Sequence, residues 1–325
     1  MNKITRRSLG ALSGLGLLGL PAIARAQSWP TRPVRMVVPY PAGGATDIVA
    51  RLISEKLTTK WGQAVVVENR AGAGATIGAQ LVAQAAPDGY TLFETTSAHT
   101  ISASLYRNLP YNPIRDFTAI TLTATVPLVM VVGRSVPANT VQEFITWAKA
   151  QPQGVAVGST GNGTAQHLTS ELFKGRTGIN SEHVPYRGDA PLNTDLLAGL
   201  VQFSFSTLSA VLPFINSGEL KALALANARR MPVLPNVPTF AEAGMPDFEF
   251  ATWFGTFAPA GLPDALRDRI AQDIQGIVAD PAMNQRLVDL GADVNNFSPP
   301  QFNDFIQREA ARWAEAVRIS GAQIN

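Results

Sequence analysis

The chain has 325 residues, with 26 basic, 24 acidic and no cysteine side chains. The lack of cysteine excludes disulfide bonds, thiolate metal sites and a cysteine nucleophile. The balanced charge contains no run of lysine or arginine of the kind that binds nucleic acid, so nucleic acid is not an expected partner.

Residues 1–26 have the pattern of a secretory signal peptide. A basic start is followed by an apolar run over residues 9–23 and by a small-x-small cleavage site at residues 24–26. The run is too short and too rich in glycine to span a membrane stably. The basic start includes the letters TRRSL, which resemble the twin-arginine export motif, and the general secretory route is the alternative. We expect a mature protein that begins at Gln27 and functions in a bacterial periplasm.

Removing this segment changes the charge of the protein. The predicted signal peptide holds four basic side chains and no acidic one, so the mature chain carries 22 basic and 24 acidic residues. No later segment is expected to span a membrane. A mature chain of about 300 residues can bury a large core and commonly divides into two lobes.

The mature chain alternates short apolar runs with amphipathic helical stretches. This pattern predicts strands at residues 34–38, 64–68, 90–95, 128–132, 155–158, 183–186, 201–206 and 220–226. It predicts helices at residues 46–61, 77–85, 141–150, 164–174, 191–198 and 210–216. Gly62 and Gly175 are expected to end the helices that precede them. Strands separated by helices of this length are typical of parallel α/β sheets.

A proline-rich stretch follows residue 226 and precedes the C-terminal part of the chain. We predict a strand at residues 251–258 and helices at residues 264–279, 282–290 and 300–319. Together with a first crossing near residues 120–127, this predicts a clamshell of two α/β lobes. Its predicted divisions are residues 27–126 for the first part of lobe 1, residues 127–249 for lobe 2 and residues 250–325 for the return to lobe 1.

Two strand-to-helix loops are candidates for ligand binding. The first, PYPAGGATD at residues 39–47, lies where parallel sheets bind ligands, and its free amides favour an anion. A tight turn with Asp47 stabilising the helix start is the structural alternative, and Asp47 could also accept a ligand ammonium or hydroxyl. The second loop, residues 158–167, offers Thr164 as a helix N-cap. His167 there either faces the cleft or caps a core hydrogen bond.

Motifs for cofactors and catalysis are missing from the sequence. The glycine-rich residues 72–78 fail the dinucleotide fingerprint because Ile77 occupies the place of its third glycine, and no Walker lysine is present. Neither a G-x-S-x-G elbow nor an H-E-x-x-H motif occurs. Ser97 and His99 are too close along the chain to be interpreted as a catalytic pair. We therefore expect no cofactor, no metal and no enzyme activity.

Ten segments resemble the periplasmic solute receptors of tripartite tricarboxylate transporters, known as Bug proteins, and they follow one another along the chain in the same order as in that family. They include PYPAGGATD at residues 39–47, APDGYTL at residues 86–92 and LPNVPTFAEAG at residues 234–244. The others lie at residues 29–35, 65–79, 109–117, 161–168, 183–188, 195–201 and 257–263. The resemblance extends over essentially the whole mature chain.

The resemblance implies a type II periplasmic-binding-protein fold, with two α/β lobes joined by two crossing segments and a ligand cleft between them. It implies that the protein captures a small carboxylate and delivers it to the membrane subunits of a tripartite tricarboxylate-type transporter. In such receptors, backbone amides and ordered water of the first strand-to-helix loop hold the ligand carboxylate. We expect a monomer. The residues leave open whether the ligand is a di- or tricarboxylate, an amino acid or an aromatic acid.

The resemblance also assigns candidate ligand contacts at both loops and at neighbouring strand ends. These are Tyr40, Ala42, Gly43, Gly44, Asp47, Ser97, Ser159, Gly161, Asn162, Thr164, His167, Tyr186, Ser206 and Thr207. Many relatives carry Asp-Asn where this chain has Ser206-Thr207, so we expect its specificity to differ from that of receptors for acidic amino acids. Two other functions stay open, a hydrolase built on the same clamshell and a ligand sensor without transport.

Overall fold

The computed structural model describes residues 29–320. The predicted signal peptide and its cleavage site therefore lie outside the described residues. Within residues 29–320, no helix combines the length and the hydropathy needed to cross a membrane.

Strands and helices alternate along most of the described chain. The strands are β1 (Val34–Val38), β2 (Val65–Asn69), β3 (Thr91–Thr96), β4 (Phe117–Gly133), β5 (Val155–Ser159), β6 (Ser181–Pro185), β7 (Phe203–Thr207), β8 (Leu220–Leu225), β9 (Ala251–Pro259) and β10 (Asp293–Val294). The helices are α1 (Ala45–Trp61), α2 (Thr76–Ala83), α3 (Ala98–Leu105), α4 (Val141–Lys149), α5 (Ala165–Thr177), α6 (Asp189–Ala198), α7 (Leu208–Asn216), α8 (Asp264–Ala279), α9 (Pro281–Asp289) and α10 (Pro299–Ser320).

The strands form one sheet in each lobe. In the first lobe the order is β2-β1-β3-β9-β4, and in the second it is β4-β7-β5-β6. The short β10 and β8 pair with β4 in the first and second sheet respectively. Strands joined through helices run parallel, as the sequence predicts: β1 with β2 and β3, and β5 with β6 and β7. The prediction of parallel sheets is wrong for β4 and β9, which run antiparallel to their neighbours.

Strand β4 passes through both sheets and forms the first crossing. Its first part, from Phe117 to Pro127, pairs with β9, and its last part, from Leu128 onward, pairs with β7 and β8. The chain returns to the first lobe next to this point, where the N–H of Leu128 donates to the carbonyl of Phe250 (3.0 Å). The predicted clamshell with two crossing segments is confirmed.

Most predicted helix and strand ranges agree with the structure within a few residues. Gly62 ends α1 in the left-handed conformation (φ +65°), as predicted. The prediction that Gly175 ends α5 is wrong, because the helix continues to Gly178, which has φ +67° and donates its N–H to Lys174. Helix α3 was not predicted from the sequence. Most of its residues are buried, so it lacks the alternation of apolar and polar faces that marks a surface helix.

The C-terminal helix α10 contacts both lobes. It begins in an apolar cluster of the first lobe with Phe302 and Ile306, and its last turns place Trp313 in the phenylalanine-rich core of the second lobe. Between them, the buried Glu309 carboxylate accepts the indole N–H groups of Trp313 (2.9 Å) and of Trp253 in β9 (3.2 Å). The helix is therefore anchored at both ends and in its middle.

Candidate ligand-binding cleft

A small cavity, here called the inner cavity, lies between the lobes. It is placed at the carboxyl ends of parallel strands from both sheets, where α/β proteins bind ligands. The cavity volume is about 20 Å³, room for about one water molecule. Its lining is Tyr40, Ala45, Thr46, Thr96, Thr160, Thr164, Ala165, Gln166, Asp189, Thr207, Thr252 and Phe254. This set contains six threonines, one carboxylate and no lysine or arginine.

The start of α1 supplies backbone donors to the inner cavity. The first hydrogen bond inside this helix runs from the N–H of Ile48 to the carbonyl of Gly44 (3.0 Å), so the preceding amides have no partner within the helix. Two of them belong to Ala45 and Thr46, which line the cavity. The N–H of Ala45 donates to the Asp189 carboxylate of the second lobe at 3.3 Å. Gly44 permits this approach, because a Cβ there would lie 3.0 Å from the same carboxylate oxygen.

The start of α5 faces the same cavity from the second lobe. Thr164 caps this helix: its hydroxyl accepts the N–H of His167 (3.4 Å) and donates to the carbonyl of Gly161 (2.9 Å). The next two amides, of Ala165 and Gln166, have no protein partner in the described part of the chain, and both residues line the cavity. Two helix N-termini, each with a partial positive charge, therefore meet at one small space.

Hydrogen bonds fix the side chains around these helix starts. Gln166 accepts the hydroxyl of Thr160 (2.7 Å) and donates to the hydroxyl oxygen of Thr207 (3.2 Å), which ties the ends of β5 and β7 together. In the first lobe, the Tyr40 and Thr96 hydroxyls are 2.9 Å apart. Burial is the main cause that raises the pKa of Tyr40, so the phenol stays protonated and available as a donor. The inner cavity is polar but contains no basic side chain.

Asp47 uses its carboxylate within the first lobe. It accepts the N–H of Gly43 (2.9 Å), the guanidinium of Arg51 (2.8 Å) and the amide of Asn69 (2.9 Å). Burial raises the pKa of this carboxyl, but the three hydrogen bonds together outweigh burial and hold the pKa below its ordinary value. Asp47 does not line the inner cavity, and the Gly43 N–H is occupied by Asp47 rather than open to a ligand.

Asp189 separates the inner cavity from a larger one, here called the outer cavity. The volume of the outer cavity is about 340 Å³. Its lining is Gly43, Ile48, Asp189, Ala190, Asn193, Thr194, Leu197, Ser209, Ala210, Pro213 and Phe214. Burial raises the pKa of Asp189 to about 6, and its hydrogen bonds from the Ala45 N–H and its own N–H oppose that rise.

The sequence family is decided by a match over most of the chain. A family model described as "Tripartite tricarboxylate transporter family receptor" (TctC) matches residues 49–321. The chain belongs to this family. Protein BugT of Bordetella pertussis is 37% identical over 308 residues, which cover 94% of each chain.

Solved structures agree with this assignment of the TctC-family receptor. The R. palustris protein Rpa4515, solved with adipate, superposes with a TM-score of 0.88 at 36% identity, covering 91% of the receptor and 100% of that chain. The periplasmic binding protein BugD gives a TM-score of 0.87 at 35% identity, covering 91% and 99% of the two chains. MatC of Rhodopseudomonas palustris, with bound malate, gives a TM-score of 0.85 at 32% identity, covering 89% of the receptor and 100% of that chain.

The candidate contacts of the receptor do not all meet at the inner cavity. Three of the predicted residues line it: Tyr40, Thr164 and Thr207. Gly44 does not line the inner cavity itself but lies against Asp189, which does, and Gly43 lines the outer cavity. Gly161 and Tyr186 line a third cavity of about 40 Å³, beside the glycine-rich loop that precedes α2. The remaining predicted residues line none of these three cavities: Ala42, Asp47, Ser97, Ser159, Asn162, His167 and Ser206.

Nine lining residues were not among the individually predicted contacts, although five of them lie in the two predicted loops. They are Ala45, Thr46, Thr96, Thr160, Ala165, Gln166, Asp189, Thr252 and Phe254. Most lie at a strand end or helix start, so the rule that selected the two glycine-rich loops applies to them as well. Asp189 begins α6 directly after β6, in a third loop of the same kind. Thr252 and Phe254 could not be found in this way, because β9 runs against its neighbours.

The serine–histidine pairs of the receptor do not form a site open to substrate. Ser97 contacts the hydroxyl of Thr252 (3.1 Å), whereas His99 packs its ring against Phe117 and two other phenylalanines. Ser159 lies 2.6 Å from Nε2 of His183, but its side chain is fully buried and lines none of the three cavities. This arrangement gives no support to a hydrolase.

The two second-lobe histidines stack on each other. The ring centroids of His167 and His183 are 4.0 Å apart. Burial lowers the pKa of His167 to about 4 and that of His183 to about 3, so both rings are neutral at pH 7. The N–H of Gly163 donates to Nδ1 of His167 (3.2 Å), which leaves this ring as a support for the loop before α5. Among residues 29–320, no group of three or more histidine or acidic side chains could hold a metal ion.

Proposed function

We propose that this TctC-family receptor captures a small carboxylate between its lobes in the periplasm and delivers it to the membrane subunits of a tripartite tricarboxylate transporter. The observation that carries the proposal is the pair of helix N-termini that face one cavity. Their amide donors at Thr46, Ala165 and Gln166 suit a carboxylate without any lysine or arginine. Relatives solved with adipate and with malate support a carboxylate as the ligand.

Capture requires the lobes to part, because the inner cavity holds about one water molecule and no organic acid. Three contacts between the lobes close the cleft: Asp189 against Ala45, Gly188 against Pro41, and the carbonyl of Asn162 against Gly74. A ligand that enters the opened cleft exchanges hydration for charge-assisted hydrogen bonds, each worth about 1.5–3 kcal/mol. The bound ligand then holds the lobes in the arrangement that the membrane subunits recognise.

A thermal-shift screen of the mature protein against a panel of carboxylates tests capture. A ligand at 100 times its dissociation constant stabilises the folded state by about 2.7 kcal/mol. We expect at least one carboxylate to raise the melting temperature in this way and to be recovered chemically unchanged. A panel without any stabilising member would contradict capture, and conversion of the ligand would support the hydrolase.

Delivery is tested in cells. Uptake of the labelled ligand is compared between a strain with the receptor gene, a strain without it, and a strain that produces the Gly44→Val variant. We expect uptake to need the receptor and to be reduced with the variant, because the added side chain would crowd Asp189 where the lobes meet. Uptake that is unchanged without the receptor would favour the ligand sensor, and size-exclusion chromatography of the purified protein tests the expected monomer.

A further inference from the structure

Two hydrogen-bond acceptors without donors are buried in the wall of the outer cavity. Asn193 is 7% exposed and donates its amide Nδ2 to the carbonyl of Ala210 (3.0 Å), which fixes the orientation of the amide. Its Oδ1 is buried without a protein partner among the described residues, and so is the hydroxyl of Ser209, which is 9% exposed. Both residues line the outer cavity together with the half-buried Asp189.

Unpaired buried acceptors are unfavourable unless a donor satisfies them. A carboxylate, an amide oxygen and a hydroxyl oxygen match the three N–H groups of an ammonium. The rest of the lining is largely apolar, with Ile48, Leu197, Pro213 and Phe214 among its residues, and contains no lysine or arginine. A cationic donor that enters this space as the lobes part would therefore meet one negative charge, with two neutral acceptors buried in the wall beside it and no competing cation.

Asp189 also changes what the inner cavity accepts. Its Oδ2 takes the N–H of Ala45, a donor that would otherwise face a ligand carboxylate. The α1 end of the cleft therefore already holds an anion, whereas the α5 end, with the amides of Ala165 and Gln166, does not. A second carboxylate placed near Asp189 would meet a like charge in a partly dehydrated space.

We propose that the ligand is an amino acid, with its carboxylate at the start of α5 and its ammonium group bound by Asp189, Asn193 and Ser209 at the outer cavity. This inference rests on the proposed function, because it names the class of solute that the cleft captures. It assigns selectivity to Asp189, which joins the two cavities and repels dicarboxylates.

Calorimetric titration with matched pairs of probes tests the assignment. The pairs are succinate with β-alanine, glutarate with 4-aminobutyrate, and adipate with 5-aminopentanoate, in which an ammonium replaces one carboxylate. For the best-fitting length, we expect the parent protein to bind the amino acid at least about tenfold more tightly than the diacid. We expect Asp189→Asn to weaken amino acid binding by about ten- to a hundredfold and to strengthen diacid binding.

Two further variants separate selectivity from folding. Asp189→Asn keeps an oxygen that can accept the Ala45 N–H, so the contact between the lobes is preserved. Ser209→Ala removes one acceptor independently and should weaken binding of the amino acid but not of the diacid. Glu182→Gln is the matched control, because Glu182 is an exposed second-lobe carboxylate on β6 that lines neither cavity. Its binding should equal that of the parent for both members of each pair.

The outcomes distinguish this inference from the proposed function. If the parent binds diacids more tightly than amino acids at every length, or if Asp189→Asn and Ser209→Ala leave the ratio unchanged, the ammonium site is refuted while carboxylate capture stands. If neither member of any pair binds the parent protein, both capture of these acids and the ammonium site are refuted.

Discussion

Gly74 is the position at which the closed arrangement of the lobes can be tested most directly. It has φ +60° in the turn before α2, and a Cβ there would overlap the backbone oxygen of Asn162 and lie 2.8 Å from the hydroxyl of Tyr106. Because the Asn162 carbonyl belongs to the other lobe and cannot rotate away as a side chain could, Gly74→Ala should disfavour closure. The open arrangement relieves the overlap with Asn162, whereas Tyr106 lies in the same lobe as Gly74 and its hydroxyl has to shift in both arrangements.

The magnitude has two parts that a control variant separates. A left-handed alanine costs about 1–2 kcal/mol at any such position. Gly62 has nearly the same backbone conformation (φ +65°), and nothing lies within 4 Å of a Cβ placed there. Gly62→Ala therefore carries the backbone cost alone, whereas Gly74→Ala adds about 1–3 kcal/mol of overpacking in the closed arrangement. The added cost corresponds to affinity that is about 5- to 150-fold weaker.

Isothermal titration calorimetry with the best ligand from the carboxylate screen measures the difference. We expect only Gly74→Ala to bind weakly, whereas Gly62→Ala should bind like the parent protein. Small-angle scattering should show that ligand compacts the parent protein and Gly62→Ala but not Gly74→Ala. Equal affinities for the two variants would refute the argument that binding requires contact between Gly74 and Asn162.

Three other predictions concern export, Asp47 and pH. Replacing both arginines of the TRRSL sequence with lysine should retain precursor in the cytoplasm, and normal export of this variant would indicate the general secretory route. Mass spectrometry of the exported parent protein should give Gln27 as its first residue. Asp47→Asn should lower the free energy of unfolding by about 1–3 kcal/mol and leave ligand affinity unchanged, because the partners of Asp47 are Arg51, Gly43 and Asn69. A selective loss of amino acid binding would instead identify Asp47 as a ligand contact. Burial raises the pKa of Asp189 to about 6, so binding of 4-aminobutyrate should weaken about tenfold between pH 7 and pH 5 as Asp189 is protonated. The stability of the ligand-free protein should change in the opposite direction, because the contribution of the neutral carboxyl is lost as pH rises through 6. Asp189→Asn should abolish both pH effects, and a pH dependence that survives this substitution would exclude Asp189 as its source.

Local patterns predicted most of the fold. Alternating apolar runs and helical stretches predicted the ranges of β1, α1 and α8 closely. The helices α1 and α8 bury one regular face, and β1 is a short apolar run that is almost fully buried. The direction of β4 and β9 could not be predicted in this way. It is set by pairing between residues far apart in sequence, such as Thr125 with Trp253, and no local period encodes that pairing.

In the candidate site, too, local patterns in the sequence identified some residues, whereas residues brought together from distant parts of the chain were not identified. Tyr40 and Thr164 were found because a strand-to-helix loop rich in glycine is visible in the sequence. The position of Asp47 in the first loop allows it to bind a ligand ammonium, but Arg51, four residues later on the same helix, indicates an internal ion pair. The segment between β6 and α6 is a strand-to-helix loop of the same kind, but its sequence does not show that closure of the lobes brings Asp189 to Ala45, 144 residues earlier in the chain.

The anchoring of α10 has a consequence for the timing of ligand exchange. Phe302 lies against β9 in the first lobe, and Trp313 is inserted in the core of the second, with Glu309 bonded to both Trp253 and Trp313. A hinge made only of β4 and β9 could swing freely, but wide separation of the lobes must also bend this helix or withdraw the indole from its core. We therefore expect α10 to slow the separation of the lobes and to lengthen the time for which a bound ligand stays in the cleft.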